Sequence, residues 1–537
     1  MRGTLVTGGF TLLSRLLGML RDAATAALLG MSAGGVMDAF VFAFRLPDVA
    51  RRMFGEGSLS ISFIPVFAKL RAKNPARAWQ LVSVVLFWVF LLLTGFVLLG
   101  EAICWLALLF FEPTSKVYLA AHLMALMLPY LILICMAAIG AATLQTLGHF
   151  SVAAMVPIVL NIIWLFGALV LAPMLADDPA GRCYLLAVCV LVAGVVQFAI
   201  QLPALRYYGW RFRLNFTAVS KEVRTIGRNA LPTIIGLMTI QLNLLVGSVI
   251  AWGFSGPPGI PIRWLGRMVE YPLHAGAVSA IYFSERLFEF PQGMIGMAVA
   301  TAIYPLLSMH AARKDFQALS DDLSLAARLQ FILGIPAGMG LMLLSGRLAH
   351  LLYQRGAFTQ VDTMRTADMI FWFGPGVWAF CMIPLLVRGF YAVGDIRTPP
   401  RVGLLCMLLN LLLCLLLIWP FREIGIAIAA SAAAAIQAIW LIFLYSRRHG
   451  HLRFRWMVSS LLRALTAALT MSLAVGMTMM ALPGSDSISD LIHILVGGLV
   501  GMIVYAIAYR ALGGRELGIL LRGREREKKP KRKSRRR

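Results

Sequence analysis

Five ionisable residues, Asp38, Arg45, Asp48, Arg52 and Glu56, stand at spacings of 7, 3, 4 and 4, the first just before the apolar run AFVFAF and the others between it and the run SLSISFIPVFAKL. On a helix turning about 100° per residue they share a stripe roughly 80° wide, with Arg51 outside it. Arg52 and Glu56 are spaced for an i,i+4 pair. Arg52 lies 17 residues before Lys69, roughly 25 Å at 1.5 Å per residue, too deep for a snorkelling side chain. A similar mixture recurs in SRLLGMLRDAATAALLG (14–30), where Arg15 and Asp22 are seven apart beside Arg21. It recurs again in YFSERLFEFPQGMIG (282–296), with Glu285, Arg286 and Glu289 within about one turn. Arginine offers a planar fork suited to phosphate oxygens. Arginines converging from these three segments would line a cationic cavity for an anionic, phosphorylated substrate, with the carboxylates holding them in place. The alternative is a salt-bridged bundle core, but charge buried in an apolar span points to function by default.

The surrounding chain is what makes those charges expensive. Of 537 residues, 60% are hydrophobic and 14% charged, against about 25% charged in soluble domains. Apolar blocks of span length recur throughout, so the chain reads as an all-α polytopic membrane protein. We place about fourteen spans near 4–30, 36–68, 79–111, 117–147, 151–176, 183–207, 222–253, 276–309, 323–352, 361–393, 400–419, 424–446, 457–482 and 488–512. Lys and Arg concentrate in alternate loops and in the tail RGREREKKPKRKSRRR, which predicts both termini on the cytoplasmic side. The net charge of +25 then reflects topology and attraction to membrane lipids, not nucleic acid. The outer loop 255–276, rich in Pro and Gly, is where a short surface helix could sit. The seven cysteines lie mostly in apolar blocks with no C-x-x-C pair and read as small buried hydrophobes. The eight histidines are scattered, so no metal site and no cofactor are expected.

A repeat is visible. Pro129, Cys135, Met136 and Gly148 are spaced as Pro375, Cys381, Met382 and Gly394, and Asn161 and Asn410 follow in the next spans. Arg45, Leu46 and Pro65 are similarly matched by Arg286, Leu287 and Pro305. Spans 1–6 (residues 1–215) and 7–12 (216–450) are read as two parallel six-helix lobes, the arrangement of transporters that rock around a central site. Residues 451–513 form an additional helix pair and 514–537 a basic cytoplasmic tail.

The blocks SRLLGMLRDA, DAFVFAFRLPDVARRMFGEGSLSISFIPVF, ERLFEFPQGMIGMAVATAIYPLLS and GFYAVGDIRTP, in this order, resemble the MurJ (MviN) family. These are lipid II flippases within the multidrug/oligosaccharidyl-lipid/polysaccharide exporter superfamily. The resemblance implies two lobes in a V plus a C-terminal helix pair helping to form a groove for the lipid tail. It implies alternating access in the bacterial cytoplasmic (inner) membrane, with lipid II, the undecaprenyl-pyrophosphate-linked muropeptide, as substrate. It assigns functional weight to Arg15, Arg21, Arg52 and Arg286, with Asp22, Asp38 and Glu56 as acidic partners; Arg45 and Glu289 join them by position. Some relatives bind sodium through acids in the seventh and eleventh helices. Here Gly247 and Cys414 stand in the corresponding stretches, so no such site is expected. Cell-wall synthesis machinery would be the protein partner of a chain otherwise expected to be monomeric. An exporter of another polyprenyl-linked oligosaccharide or an amphipathic drug is the alternative. An enzyme acting on lipid-linked sugars is disfavoured, because no large polar loop domain is present.

Overall fold

The computed structural model describes residues 2–518 except 32–33, 53–58, 114, 258, 265, 451, 483, 485, 515 and 517. The chain is helical almost throughout. In order, the elements are α1 (Arg2–Leu29), α2 (Val36–Ala50), α3 (Leu59–Lys73), α4 (Pro75–Phe110), α5 (Lys116–Met127), α6 (Tyr130–Thr146), α7 (Phe150–Phe166), α8 (Ala172–Leu175), α9 (Pro179–Ala199), α10 (Leu202–Tyr207) and α11 (Phe216–Gly253). A hairpin of β1 (Pro261–Trp264) and β2 (Arg267–Glu270) precedes α12 (Ala277–Pro291), α13 (Met297–Ala312), α14 (Phe316–Tyr353), α15 (Gln360–Phe373) and α16 (Val377–Ala392). The chain continues through α17 (Thr398–Phe421), α18 (Glu423–Arg448), α19 (Phe454–Ala481) and α20 (Ser487–Ala511). Eleven helices among the described residues are long and apolar enough to cross a membrane. The expected first, second and seventh spans correspond to α1, α2 with α3, and α11. Arg15, Arg21 and Asp22 lower the hydropathy of α1, and Asp38, Arg45 and Asp48 that of α2.

Two compact units emerge. The first comprises residues 1–287, 348–372 and 400–433; the second comprises 288–347, 373–399 and 434–537. In the first, α1 packs on α7, α2 on α5, and α9 on α6 and α7. Phe63, Phe67, Leu81 and Val85 form a core between α3 and α4 that continues to Ile139 of α6 and Ile226 of α11. In the second, α13 packs on α16 and α19 on α20. Gly497 and Gly501 of α20 face Met479, Val475 and Met471 of α19, so bare backbone lets the two helices approach closely.

One sequence expectation is corrected. The loop 255–276 carries a two-stranded antiparallel hairpin, with Trp264 paired to Arg267 and Pro261 to Glu270. Gly266, at φ +82°, supplies the left-handed conformation that a two-residue turn needs. In the span expected over 36–68, α2 passes into a π turn at 51–52 and α3 begins at Leu59, while residues 53–58 lie outside the described residues. The eighth span also loosens, after Pro291, into a π turn over Gln292–Gly296.

The paired motifs adopt paired conformations. Pro129 separates α5 from α6, and Gly374–Gly376 form a single 3-10 turn around Pro375 between α15 and α16. Gly148 and Gly394 end α6 and α16 at φ +78° and +83°. After each glycine, the next backbone N–H returns to the helix: His149 donates to Leu144 O and Asp395 to Phe390 O, at 2.9 and 3.0 Å. In the second turn, Asp395 accepts from Thr398 Oγ1 at 2.7 Å and lies 3.0 Å from His449 Nε2.

Candidate functional site

The charged residues of α1, α2 and α12 meet inside the first unit. Arg21 is buried and donates through Nη2 to Asp22 Oδ1 at 2.7 Å. Its Nη1 donates to Asn161 Oδ1 of α7 at 3.2 Å, and its guanidinium lies 4.6 Å from the centre of the Trp164 ring. Trp164 Nε1 donates in turn to Thr25 Oγ1, closing this end of the site. Asp22 also accepts the Tyr282 hydroxyl at 2.8 Å, and its second oxygen lies 3.6 Å from Arg286 Nε. Arg286 rests over the Tyr282 ring at 4.7 Å. One carboxylate therefore serves two arginines 265 residues apart in sequence.

On α2, Arg45 is buried and ion-paired with Glu285 of α12. Asp48, 6% exposed, takes Arg51 at 2.9 Å and Arg52 at 3.1 Å. Arg51, which the helical stripe excluded, thus belongs to the cluster, because an i,i+3 arginine is long enough to reach back across the face. Arg286 is close enough to Asp48 for their charges to interact, which joins the two groups. Among the described residues, the cluster brings Arg21, Arg45, Arg51, Arg52 and Arg286 together with Asp22, Asp48 and Glu285. Burying such groups is tolerable only because each carboxylate is paired and hydrogen-bonded. Several guanidinium groups thus converge from separate segments, an arrangement that can hold an anion with several oxygens.

Asp38 has a different task. It is buried at the other end of α2, where Oδ2 accepts from Gly276 N–H at 2.7 Å. Oδ1 accepts from Ser279 N–H at 2.8 Å and Ser279 Oγ at 2.6 Å. It therefore caps the start of α12 from a neighbouring helix, where a carboxylate also meets the positive end of the helix dipole. Arg365 of α15 donates to Ala275 O at 2.8 Å and to Glu423 Oε1 at 2.6 Å. Nearby, Gly30 and Gly356 bring the end of α1 against the segment after α14, and Ala357 N–H donates to Ala27 O at 2.8 Å.

Of the other expected site residues, Arg15 is exposed on α1 and has no part in the cluster. Glu289 is half-buried on α12, one turn beyond Glu285, in the second unit. Glu56 lies outside the described residues. Sequence reasoning missed Tyr282 and Trp164 and read Asn161 only as a repeat marker. Tyr282 stands four residues before Arg286, so helical spacing alone would have placed it on the same face.

Comparison with known proteins agrees with this picture. A family model described as "Lipid II flippase MurJ" matches residues 25–496. A relative from Rhizobium tropici called "Probable lipid II flippase MurJ" is 31% identical over 542 residues, covering 98% of this chain and 96% of its own length. A relative of the same description from Vibrio cholerae is 31% identical over 452 residues, covering 81% of each. Among solved structures, "Lipid II flippase MurJ, inward closed conformation" superposes with a TM-score of 0.72 at 21% identity. It covers 95% of this chain and 99% of its own. An inward-facing multidrug resistance MATE family transporter of the MOP superfamily follows at 0.64 and 14% identity, covering 81% and 98%. The fold is thus that of a multi-pass transporter, and the chain belongs to the MurJ family of lipid II flippases.

Proposed function

We propose that this protein carries lipid II from the inner to the outer leaflet of the bacterial cytoplasmic membrane by alternating access and performs no covalent chemistry. The carrying observation is the convergence of Arg21, Arg52 and Arg286, from three separate segments, on the carboxylates Asp22 and Asp48. A pyrophosphate would exchange with Asp22 and Asp48 for the guanidinium groups of Arg21, Arg52 and Arg286, while the polyprenyl tail stays in lipid. The same convergence of guanidinium groups disfavours a cationic drug. The contacts of Asp38, Arg365 and Ala357 are those we assign to the outer seal, which must break for release. The Lys and Arg bias of the loops supports cytoplasmic termini. The test is to deplete a cell's own lipid II flippase and express this chain intact, or as Arg52→Ala or Arg286→Ala. The intact chain is expected to restore lipid II export and the variants to fail at equal membrane abundance. Failure of the intact, well-expressed chain would refute the substrate, and rescue by both variants would refute the clamp.

A further inference from the structure

A cavity of about 820 Å³ opens between α4, α6, α9 and α10, and shares no lining residue with the charged cluster. Leu86 and Phe90 of α4, Met136 of α6, Phe198 of α9 and Leu202 of α10 make its apolar wall. Its mouth is formed by the strap that follows α10. Trp210 Nε1 and Arg213 N–H both donate to Ser83 Oγ, at 3.2 and 3.3 Å, and so pin the strap to α4. Phe216 packs edge-on against Phe87 at 5.4 Å. Arg206 and Arg211 line the mouth and are exposed, and no carboxylate among the described residues pairs with either. The neighbouring surface of α4 is exposed leucine, with Leu91 at 48% and Leu92 at 66%, as expected of a face turned to acyl chains.

We propose that this cavity is a binding site for an anionic glycerophospholipid, its phosphate between Arg206 and Arg211 and one acyl chain laid along Phe90, Phe198 and Leu202. Three features favour a lipid over other occupants. The volume suits a phosphate with one acyl chain, the part of the lipid placed inside. The lining is aliphatic and aromatic within membrane-spanning helices. The two unmatched arginines stand at the end of these helices where basic residues collect, where anionic headgroups are attracted.

The test is native mass spectrometry of the detergent-purified full chain, titrated with dioleoyl phosphatidylglycerol or dioleoyl phosphatidylcholine. Phosphatidylglycerol is expected to bind at least about fivefold more tightly, the size of one or two charge-assisted contacts. Arg206→Ala/Arg211→Ala should abolish that preference, and Leu202→Trp, which fills the cavity, should weaken both lipids. Arg224→Ala/Arg228→Ala, further along the chain and outside the cavity lining, should change neither. Equal binding of the two lipids by the unaltered chain would overturn the proposal, whatever the variants do. So would a preference that survives loss of both arginines, or complete displacement of phosphatidylglycerol by millimolar inorganic phosphate, which would mark a simple anion site.

Discussion

The Tyr282 hydroxyl and Arg21 Nη2 converge on one oxygen of Asp22, at 2.8 and 2.7 Å. Asp22→Asn keeps the shape but leaves Arg21 and Arg286 without their shared countercharge. Breaking a buried pair from one side costs about 3–5 kcal/mol, and a large fall in thermal midpoint is expected. Tyr282→Phe, which removes the hydrogen bond to Asp22 and the longer one from Arg21 Nη2 at 3.4 Å, should cost about 1–2 kcal/mol. An unchanged midpoint in Asp22→Asn would show that the pair contributes little.

Arg52 should behave differently. Its side chain is 21% exposed, and Arg51 remains on Asp48 if it is removed. Arg52→Ala is therefore expected to cost no more than about 1 kcal/mol while abolishing lipid II export in a complementation assay. Arg52→Lys should restore export only partly, because a point charge lacks the fork. Parallel losses of stability and export would instead assign Arg52 a structural role.

The cap on α12 predicts a graded series. Asp38→Ala strands the N–H groups of Gly276 and Ser279, at about 1–3 kcal/mol for each group left unsatisfied. Asp38→Asn keeps one acceptor and should fall between. Hydrogen exchange at the amides of Gly276 and Ser279 should accelerate in the same order; uniform exchange across the three proteins would contradict the cap.

Gly30 adopts φ +66°, and a Cβ there would stand 2.5 Å from Ala357 O; Gly34 has φ +62°, and among the described residues nothing lies within 4 Å of a Cβ there. Gly34→Ala pays only for the left-handed backbone, about 1–2 kcal/mol. Gly30→Ala pays that and must also displace the backbone at Ala357, so its thermal midpoint should be clearly the lower. Equal midpoints would mean that the close approach carries no energy.

Asp395 lies between spans, after α16. Burial alone would raise its pKa. Hydrogen bonds from Thr398 Oγ1 and N–H, His449 and Arg397 N–H outweigh it and hold the carboxyl at about 2. The unfolded value is about 3.9, so the folded state binds the proton less readily. The stabilisation is complete above about pH 4 and is lost as pH falls toward 2. The midpoint difference between the native chain and Asp395→Asn should be steady at neutral pH and shrink in that acid window. A difference that persists to pH 2 would contradict the assignment.

The legibility of these features follows the range of the interactions behind them. Spans such as α4 and α17 declare themselves because hydropathy is a local property. The 7 and 3 spacing of Asp38, Arg45 and Asp48 shows a shared helical face for the same reason. Partners do not: Arg45 and Glu285 are 240 residues apart, and nothing local shows that Asp38 would cap α12 while Asp22 would serve two arginines. The hairpin at 261–270 was hidden because its four-residue strands are too short to display alternation. Arg51 was misjudged because an ideal stripe ignores side-chain reach.

The carboxylates of the cluster are, for any incoming anion, tethered competitors. Asp22 and Asp48 are held at high effective concentration beside the guanidinium groups, so a phosphate gains only the difference between two sets of charge-assisted bonds. In the proposed clamp, affinity would thereby be capped, and departure assisted by internal groups that close behind the leaving ligand. A carrier built this way gives up tight capture in favour of turnover, and its empty return state carries its own counterions.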